Sequence, residues 1–223
     1  MAIPHLIDLS HHIEHGVVYY KGLPAPVICD YLSRAASRAL YEPGTEFHIG
    51  HVELVTNTGT YIDTPFHRYA DGRDVAQMPL ERFVNVPARV VRPVARTGRA
   101  IGAEWFAGLD VRGQAVLVHT GWDVHWGTDR YFEGHPHLTA EAATALRDGG
   151  AVLVGIDSMN IDDTDGGTRP VHTILLREEI LIAEHLCNLA TLPDCGFTFT
   201  AVPPKLVGVG TFPVRAFASI AAT

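Results

Sequence analysis

The chain has 223 residues, of which 47% are hydrophobic and 19% are charged. This composition is typical of a globular protein and excludes extensive disorder. The 17 basic and 25 acidic side chains give a formal net charge of −8. Because the basic residues are scattered, this charge argues against nucleic acid and anionic membrane surfaces as partners.

The three cysteines, Cys29, Cys187 and Cys195, lack the number and spacing of a disulfide framework or a cysteine zinc site. No apolar run approaches the ~18 residues of a membrane span, and the first thirty residues are too polar for a signal peptide. We therefore expect reduced thiols and a cytoplasmic protein. The chain has no repeat and no stretch of linker composition, which predicts a single domain over residues 1–223.

Apolar runs in the sequence predict a sheet with more strands than helices. Phe47–Thr56 alternates apolar and polar residues, which is typical of a strand with one wet face. Gln114–His119 and Ala151–Ile156 are unbroken apolar runs, as in buried strands. Ile180–Ala183 is a further strand-like run. The other predicted strands are Ile3–Leu9, Pro87–Pro93, Leu206–Gly210 and Val214–Ser219.

Fewer segments carry helix signals. Thr139 is a good N-cap followed by an acidic first turn, and Gly149-Gly150 ends the segment. Thr173–Glu179 is a second candidate helix, and Ile101–Phe106 is a short one. Because strands and helices do not alternate regularly, we predict a mixed α/β fold around one sheet or half-barrel.

A first group of polar residues lies in Asn57–His67, directly after the predicted strand Phe47–Thr56. Gly59 and Pro65 predict an irregular loop there. Asp63 and His67 stand four residues apart, and a carboxylate with an imidazole on one stiff loop can form a metal site or a base with its orienting group. The alternative is structural, with Asp63 capping a turn and His67 hydrogen-bonding the loop.

A second group follows the later apolar runs. Asp157 closes a buried strand, a common position for functional polar groups in α/β proteins. His172 precedes a Leu-Leu pair. Glu184 follows four apolar residues, so it either faces solvent at a strand end or is buried and needs a partner.

Three further acids, Asp162, Asp163 and Asp165, stand close together. They lack the ligand spacing and the terminal glutamate of an EF-hand calcium loop. We expect them to form a solvated, flexible loop.

The Asn57–His67 segment resembles the hallmark H-x-G-T-H-x-D-x-P-x-H of the cyclase superfamily, the metal-dependent hydrolases that include bacterial kynurenine formamidase and isatin hydrolase. This resemblance implies a swivelling β/β/α fold, a homodimer or homotetramer, and hydrolysis of amide, lactam or similar acyl bonds. Further motifs follow in the family's order: Asp8-Leu-Ser-His11, Thr120-Gly-Trp-Asp123, His135-Pro-His-Leu138, Gly155-Ile-Asp157 and Glu184-x-Leu186-x-Asn188-Leu189.

The resemblance also implies a set of site residues. The family's first metal is held by two histidines and an aspartate, and here Asn57 and Tyr61 stand at the two histidine positions. Asp63 is retained, and His67 matches the family's proton-transfer residue. The second-metal ligands of the family match Asp63 again, together with His172 and Glu184.

Amide and phenol oxygens are weaker zinc ligands than imidazole, so three outcomes stay open. One divalent ion, manganese or zinc, would sit on Asp63, His172 and Glu184. Alternatively, His51 would replace a lost ligand. In the third outcome no metal binds, and Asn57 and Tyr61 serve as hydrogen-bond donors.

The first outcome predicts a hydrolase of a small amide, lactam or lactone. His67 would carry the proton from water to the leaving group, and Tyr61 and Asn57 would stabilise the oxyanion. The aromatic side chains Trp122, Phe66 and Tyr20 would form the substrate pocket.

Two other functions stay open at this point. The first is a metal-independent lyase, cyclase or isomerase that uses His67 as base and Tyr61 as acid. The second is a catalytically silent protein that binds a small molecule.

Overall fold

The computed structural model describes residues 4–93 and 97–222. Its helices and strands are, in chain order, β1 (His5–Asp8), β2 (Val27–Leu32), α1 (Arg34–Ser37), β3 (Ile49–Glu53), β4 (Tyr61–Asp63), β5 (Val86–Val91), β6 (Ala100–Ile101), β7 (Ala115–Val118), β8 (His137–Leu138), α2 (Ala140–Asp148), β9 (Leu153–Ile156), α3 (Pro170–Arg177), β10 (Leu181–Glu184), β11 (Phe197–Thr200), β12 (Thr211–Pro213) and β13 (Phe217–Ile220).

Nine of these strands form one mixed sheet in the order β1-β13-β11-β5-β7-β9-β10-β4-β12. The central strands β5, β7, β9 and β10 are parallel, and the strands on both sides are antiparallel to their neighbours. This sheet confirms the predicted mixed α/β fold class. None of the described helices is long and apolar enough to cross a membrane.

The core lies on both faces of the sheet, because neighbouring residues of a strand point to opposite sides. On β7, Leu117 belongs to one buried cluster, whereas Val116 and Val118 belong to the other. Helices α2 and α3 pack on the second face through apolar residues such as Leu146 and Leu175. The central strands are therefore buried on both sides, as their unbroken apolar sequences predict.

The α2 prediction is confirmed: the Thr139 side chain accepts a hydrogen bond from the Ala142 backbone amide, and Gly149 is the C-cap. The helix predicted at Thr173–Glu179 exists but begins earlier, at Pro170. Within the Ile101–Phe106 segment, Ala103–Trp105 forms a single 3₁₀ turn.

Two strand predictions need correction. Leu206–Gly210 is not a strand, because the chain turns there and the Gly208 amide donates to the Asp74 carboxylate (2.6 Å). The following residues, Thr211–Pro213, form β12 instead. Tyr61–Asp63, predicted as loop, is a short strand because β10 and β12 pair with its two edges. Of the first predicted strand, Ile3 lies outside the described residues.

Strands β2 and β3 form a separate two-stranded ribbon, and residues on both of its faces are exposed. The alternation in Phe47–Thr56 therefore does not mark one buried face, because nothing in residues 4–93 and 97–222 covers the ribbon with a second layer.

Candidate active site

The sheet register brings the first group of polar residues together with two distant strands. Tyr61 of β4 stands opposite Glu184 of β10, and Asp63 stands opposite Thr211 of β12. Residues directly opposite each other in antiparallel strands point to the same face. Four polar side chains from three strands therefore meet on one face, and all four are buried.

Tyr61 and Glu184 form a buried hydrogen-bonded pair. The Tyr61 phenol donates to Glu184 Oε2 (2.5 Å), and the Ile161 backbone amide donates to Glu184 Oε1 (2.6 Å). Burial raises the pKa of Glu184 above its ordinary value, and the nearby carboxylate of Asp63 raises it further, whereas the His172 charge lowers it. Burial raises the pKa of Tyr61 well above 10.0, and the carboxylates of Glu184 and Asp63 raise it further, so the phenol keeps its proton. The Asn57 side chain lowers the pKa of Tyr61 but does not outweigh these effects.

A second chain of hydrogen bonds joins Asp63 to His67 through a hydroxyl group. Thr211 Oγ1 donates to Asp63 Oδ1 and lies 2.8 Å from His67 Nδ1. Burial raises the pKa of Asp63, but the neighbouring imidazoles of His67 and His172 and the hydrogen bond from Thr211 outweigh burial and hold it below its ordinary value. Because Thr211 gives its proton to the ionised carboxylate, it accepts from His67 Nδ1–H. His67 Nε2 is then left with a free lone pair, and its side chain is 34% exposed.

Asp162 orients His172, which corrects the prediction that Asp162 lies in a solvated loop. Asp162 is fully buried, and its carboxylate accepts hydrogen bonds from the Val171 amide (2.8 Å), the His172 amide (3.0 Å) and His172 Nδ1 (2.7 Å). Asp162 thus accepts hydrogen bonds from two backbone amides in the first turn of α3. Its bond to Nδ1 holds the His172 imidazole with Nε2 toward Asp63 and Glu184. Asp163 and Asp165 do reach the surface, where both pair with Arg99.

Burial lowers the pKa of His172, but its hydrogen bond to Asp162 and the neighbouring carboxylates of Asp63 and Glu184 together raise that pKa to about 10. Three buried carboxylates therefore surround one imidazole. Even with His172 protonated, ionisation of all three leaves net negative charge in the interior, which favours a bound cation.

Donor atoms of Asp63, His67 and His172 lie within 4.8 Å of one another, so these three residues could hold a metal ion. Asp63 Oδ2 is buried and has no hydrogen-bond partner among the described residues. It lies 3.7 Å from His172 Nε2, which in turn lies 3.9 Å from Glu184 Oε1. Ligands of one tetrahedral zinc ion stand about 3.4 Å apart, so both separations are only slightly longer than in a ligated site. Glu184 is not in the group that lies within 4.8 Å, so its carboxylate would have to move toward Asp63 to share an ion with it.

The cluster forms the floor of an open cavity of about 690 Å³. This volume is within the range of small-molecule sites. Tyr20, predicted as a substrate contact, lines the cavity, as do Asn57, Tyr61 and His67. Its wall further contains Leu23, Ile174, Arg68 and Arg169.

Trp122 and Phe66, the other two predicted substrate contacts, do not line this cavity. Trp122 Nε1 donates to the Tyr131 carbonyl (3.0 Å), and its ring lies under the Arg130 guanidinium. Phe66 is on the surface, 36% exposed. His51 lies on the exposed ribbon opposite Cys29 and is not among the cavity residues, so the structure contradicts its proposed role as a replacement ligand.

Thr211, Asp162, Arg68 and Arg169 are the site residues that the sequence did not reveal. Thr211 is 148 residues from the carboxylate to which it donates. Asp162 carried no local signal either, because it lies eight residues before Pro170, where the helix begins, and reaches its first turn only through the fold.

Residues 7–163 of the chain match the model of a family described as putative cyclase. A kynurenine formamidase of Salinibacter ruber is 32% identical over 212 residues, which cover 95% of this chain and 95% of that protein. A kynurenine formamidase of Bordetella avium is 33% identical over 178 residues, covering 78% and 81% of the two chains. The chain therefore belongs to the cyclase family, as its motifs predict.

Solved structures share the fold at lower sequence identity. Isatin hydrolase A of Labrenzia aggregata superposes with a TM-score of 0.82 and 20% identity, over 97% of this chain and 94% of that chain. A structure described as a potential metal-dependent hydrolase with cyclase activity gives a TM-score of 0.79 and 23% identity, over 99% and 100% of the two chains. These likenesses confirm the cyclase-like fold.

Proposed function

We propose that this protein hydrolyses the acyl bond of a small amide, lactam or lactone, and that it uses one divalent cation. The observation that carries the proposal is the unpartnered, buried Asp63 Oδ2, which faces His172 Nε2 at the floor of an open cavity. The similarity to proteins named kynurenine formamidase supports an amide as the bond that is cleaved.

In this proposal Asp63, His172 and Glu184 hold the cation. When bound there, a divalent ion lowers the pKa of a water molecule and polarises the acyl carbonyl. Two carboxylates and one imidazole suit manganese or zinc. The donor set favours one ion over two, because Asn57 and Tyr61 offer an amide and a protonated phenol where the family's first site has imidazoles.

His67 is the proton carrier. Its Nε2 has a free lone pair, faces the cavity and is held by Thr211 through Nδ1. In amide hydrolysis the water oxygen forms a bond to the acyl carbon and the C–N bond breaks. His67 Nε2 takes the proton from water and gives it to the leaving nitrogen, so the imidazole ends the cycle neutral.

Asn57 is the better of the two predicted oxyanion donors. The Tyr61 O–H already donates to Glu184, so Tyr61 keeps that carboxylate in position. The Asn57 amide lines the cavity and has two N–H groups. These groups can stabilise charge that develops on the acyl oxygen.

The test combines metal analysis with turnover of N-formyl arylamines, isatin and simple lactones. Protein purified without chelator is expected to contain about one divalent ion per chain. The Asp63→Ala variant should lose the ion, whereas His67→Ala should keep it and lose hydrolysis. Retained metal in Asp63→Ala contradicts the assigned site, and lost metal in His67→Ala makes His67 a ligand.

Two other outcomes would replace the proposal. Turnover that survives exhaustive chelation would indicate a metal-independent lyase, cyclase or isomerase. A small molecule that is recovered unchanged from the protein, with no turnover, would indicate a catalytically silent binding protein.

We also propose that the chain is a homo-oligomer that forms through the β2–β3 ribbon. Isolated two-stranded ribbons are marginally stable in water, and this one has no layer of its own chain over either face. Its cross-strand pair Ile28 and Val52 is exposed, as are Tyr31, Phe47 and Ile49. Contact with a second copy would cover apolar surface that is unusually concentrated for a monomer.

A further inference from the structure

We infer that the cavity selects substrates that carry a carboxylate group, which Arg68 and Arg169 bind at its wall. This inference rests on the proposed function and adds the chemical class of the substrate. Both arginines line the cavity whose floor is the Asp63–His172 cluster. Neither guanidinium forms an ion pair in the described part of the chain, so both charges are available to a ligand.

The two arginines are tied to the same turn of the protein. Arg68 Nε donates to Thr173 Oγ1 (3.3 Å), and Thr173 Oγ1 donates to the Arg169 carbonyl (2.7 Å). One hydroxyl group at the start of α3 therefore links the side chain of one arginine to the backbone of the other. This link places both on the same wall.

The Arg169 guanidinium is preorganised by the loop that precedes α3. Its Nη1 donates to the carbonyls of Asp163 (3.1 Å), Gly166 (2.7 Å) and Thr168 (2.7 Å). These bonds fix the group but leave its charge uncompensated. An immobilised guanidinium loses little entropy when it binds a carboxylate, and its fork geometry matches the two oxygens.

The rest of the wall indicates what carries the carboxylate. Leu23, Ile174 and Pro170 contribute apolar surface to the same cavity. The floor itself is rich in carboxylates, so an anionic group is repelled there and attracted to the arginine wall. The cavity thus fits an N-acyl arylamine whose acyl group reaches the floor and whose acidic substituent reaches Arg68 and Arg169.

The experiment compares the ortho, meta and para isomers of formamidobenzoate with the matching formamidobenzamides. The acid and the amide have nearly the same shape, so their ratio of kcat/KM isolates the effect of the negative charge. For at least one isomer we expect the acid to be favoured by about tenfold or more, the effect of one charge-assisted hydrogen bond. Equal or better turnover of the amides for every isomer overturns the inference.

Two variants locate the effect. Arg68→Met should bring the acid-to-amide ratio of kcat/KM close to one, mainly by raising the KM of the acids. Arg169→Lys keeps the positive charge but loses the planar guanidinium that can bind both carboxylate oxygens, so it should lower the acid-to-amide ratio in part. The matched control is Arg177→Met, because Arg177 lies over the same Tyr69 ring as Arg68 but does not line the cavity. An unchanged ratio in Arg68→Met and Arg169→Lys overturns the assignment.

A binding measurement separates this inference from the proposed function. Calorimetry with the aminobenzoates and aminobenzamides, the amines that hydrolysis would release, requires no turnover. If neither the formamides nor isatin and simple lactones are hydrolysed, the proposed function fails. Tighter binding of the aminobenzoates, lost in Arg68→Met, would still support an anion-selective wall. Equal affinities would refute it.

Discussion

Replacing Asp162 by asparagine is expected to weaken binding of the proposed metal about 10- to 100-fold, although Asp162 is not itself a ligand. The carboxylate accepts three hydrogen bonds, one of them from His172 Nδ1. This bond keeps the proton on Nδ1 and leaves the Nε2 lone pair free for the ion. An asparagine amide placed at the same point donates to Nδ1 and moves the proton to Nε2, where it blocks ligation.

The same substitution should also lower the stability of the metal-free protein. Hydrogen bonds to a charged group contribute about 1.5–3 kcal/mol each. Asparagine keeps only one acceptor oxygen, so either Val171 N–H or the His172 donors face an N–H₂ group in the interior. We expect the free energy of unfolding to fall by about 2–4 kcal/mol.

Metal affinity is measured by competition with a chelator, and stability by urea unfolding of the metal-free protein followed by circular dichroism. The control is Asp165→Asn, which has the same chemistry in the same loop, but at an exposed position beside Arg99. Its affinity and stability should match the parent protein. A folded Asp162→Asn variant with parent-like affinity would refute the orienting role of this carboxylate.

The ring of His11 stacks on Trp126, and its burial lowers the pKa of His11 to about 4. Between pH 6.5 and 4 the unfolded chain therefore binds a proton at this residue, whereas the native state does not. The free energy of unfolding therefore falls as the pH falls through this range. His11→Gln should abolish about 1–2 kcal/mol of that fall. This value is smaller than the full pKa shift would give, because the ring is only partly buried. Urea unfolding at pH 7 and pH 4 measures the difference; the exposed His5→Gln is the control, and equal pH dependence in His11→Gln and the parent contradicts the explanation. Val52→Glu on the ribbon should convert the oligomer to a monomer in light scattering, whereas Leu80→Glu, equally exposed on the body of the protein, should not. A monomeric parent protein would exclude the ribbon interface.

The sequence alone determined the fold class, the family and many of the elements. Unbroken apolar runs identified β7 and β9, because strands buried on both faces need no polar residues. The Thr139 cap and Gly149 bounded α2, because these signals act within one turn of the helix. The motifs also predicted four site residues that the structure brings together, namely Asp63, His67, His172 and Glu184. Their roles stay predictions.

Contacts between distant segments were decided by the tertiary structure. Thr211 reaches Asp63 only because β12 pairs with β4, and no local pattern encodes that register. Asp162 lies among other acids in the sequence, and burial rather than composition separates it from its exposed neighbours. The cavity wall, with Arg68 and Arg169 joined through Thr173, likewise exists only once α3 packs beside β4. Local sequence specifies backbone conformation and which face is apolar, whereas the partners of a polar side chain depend on the packing of the whole sheet.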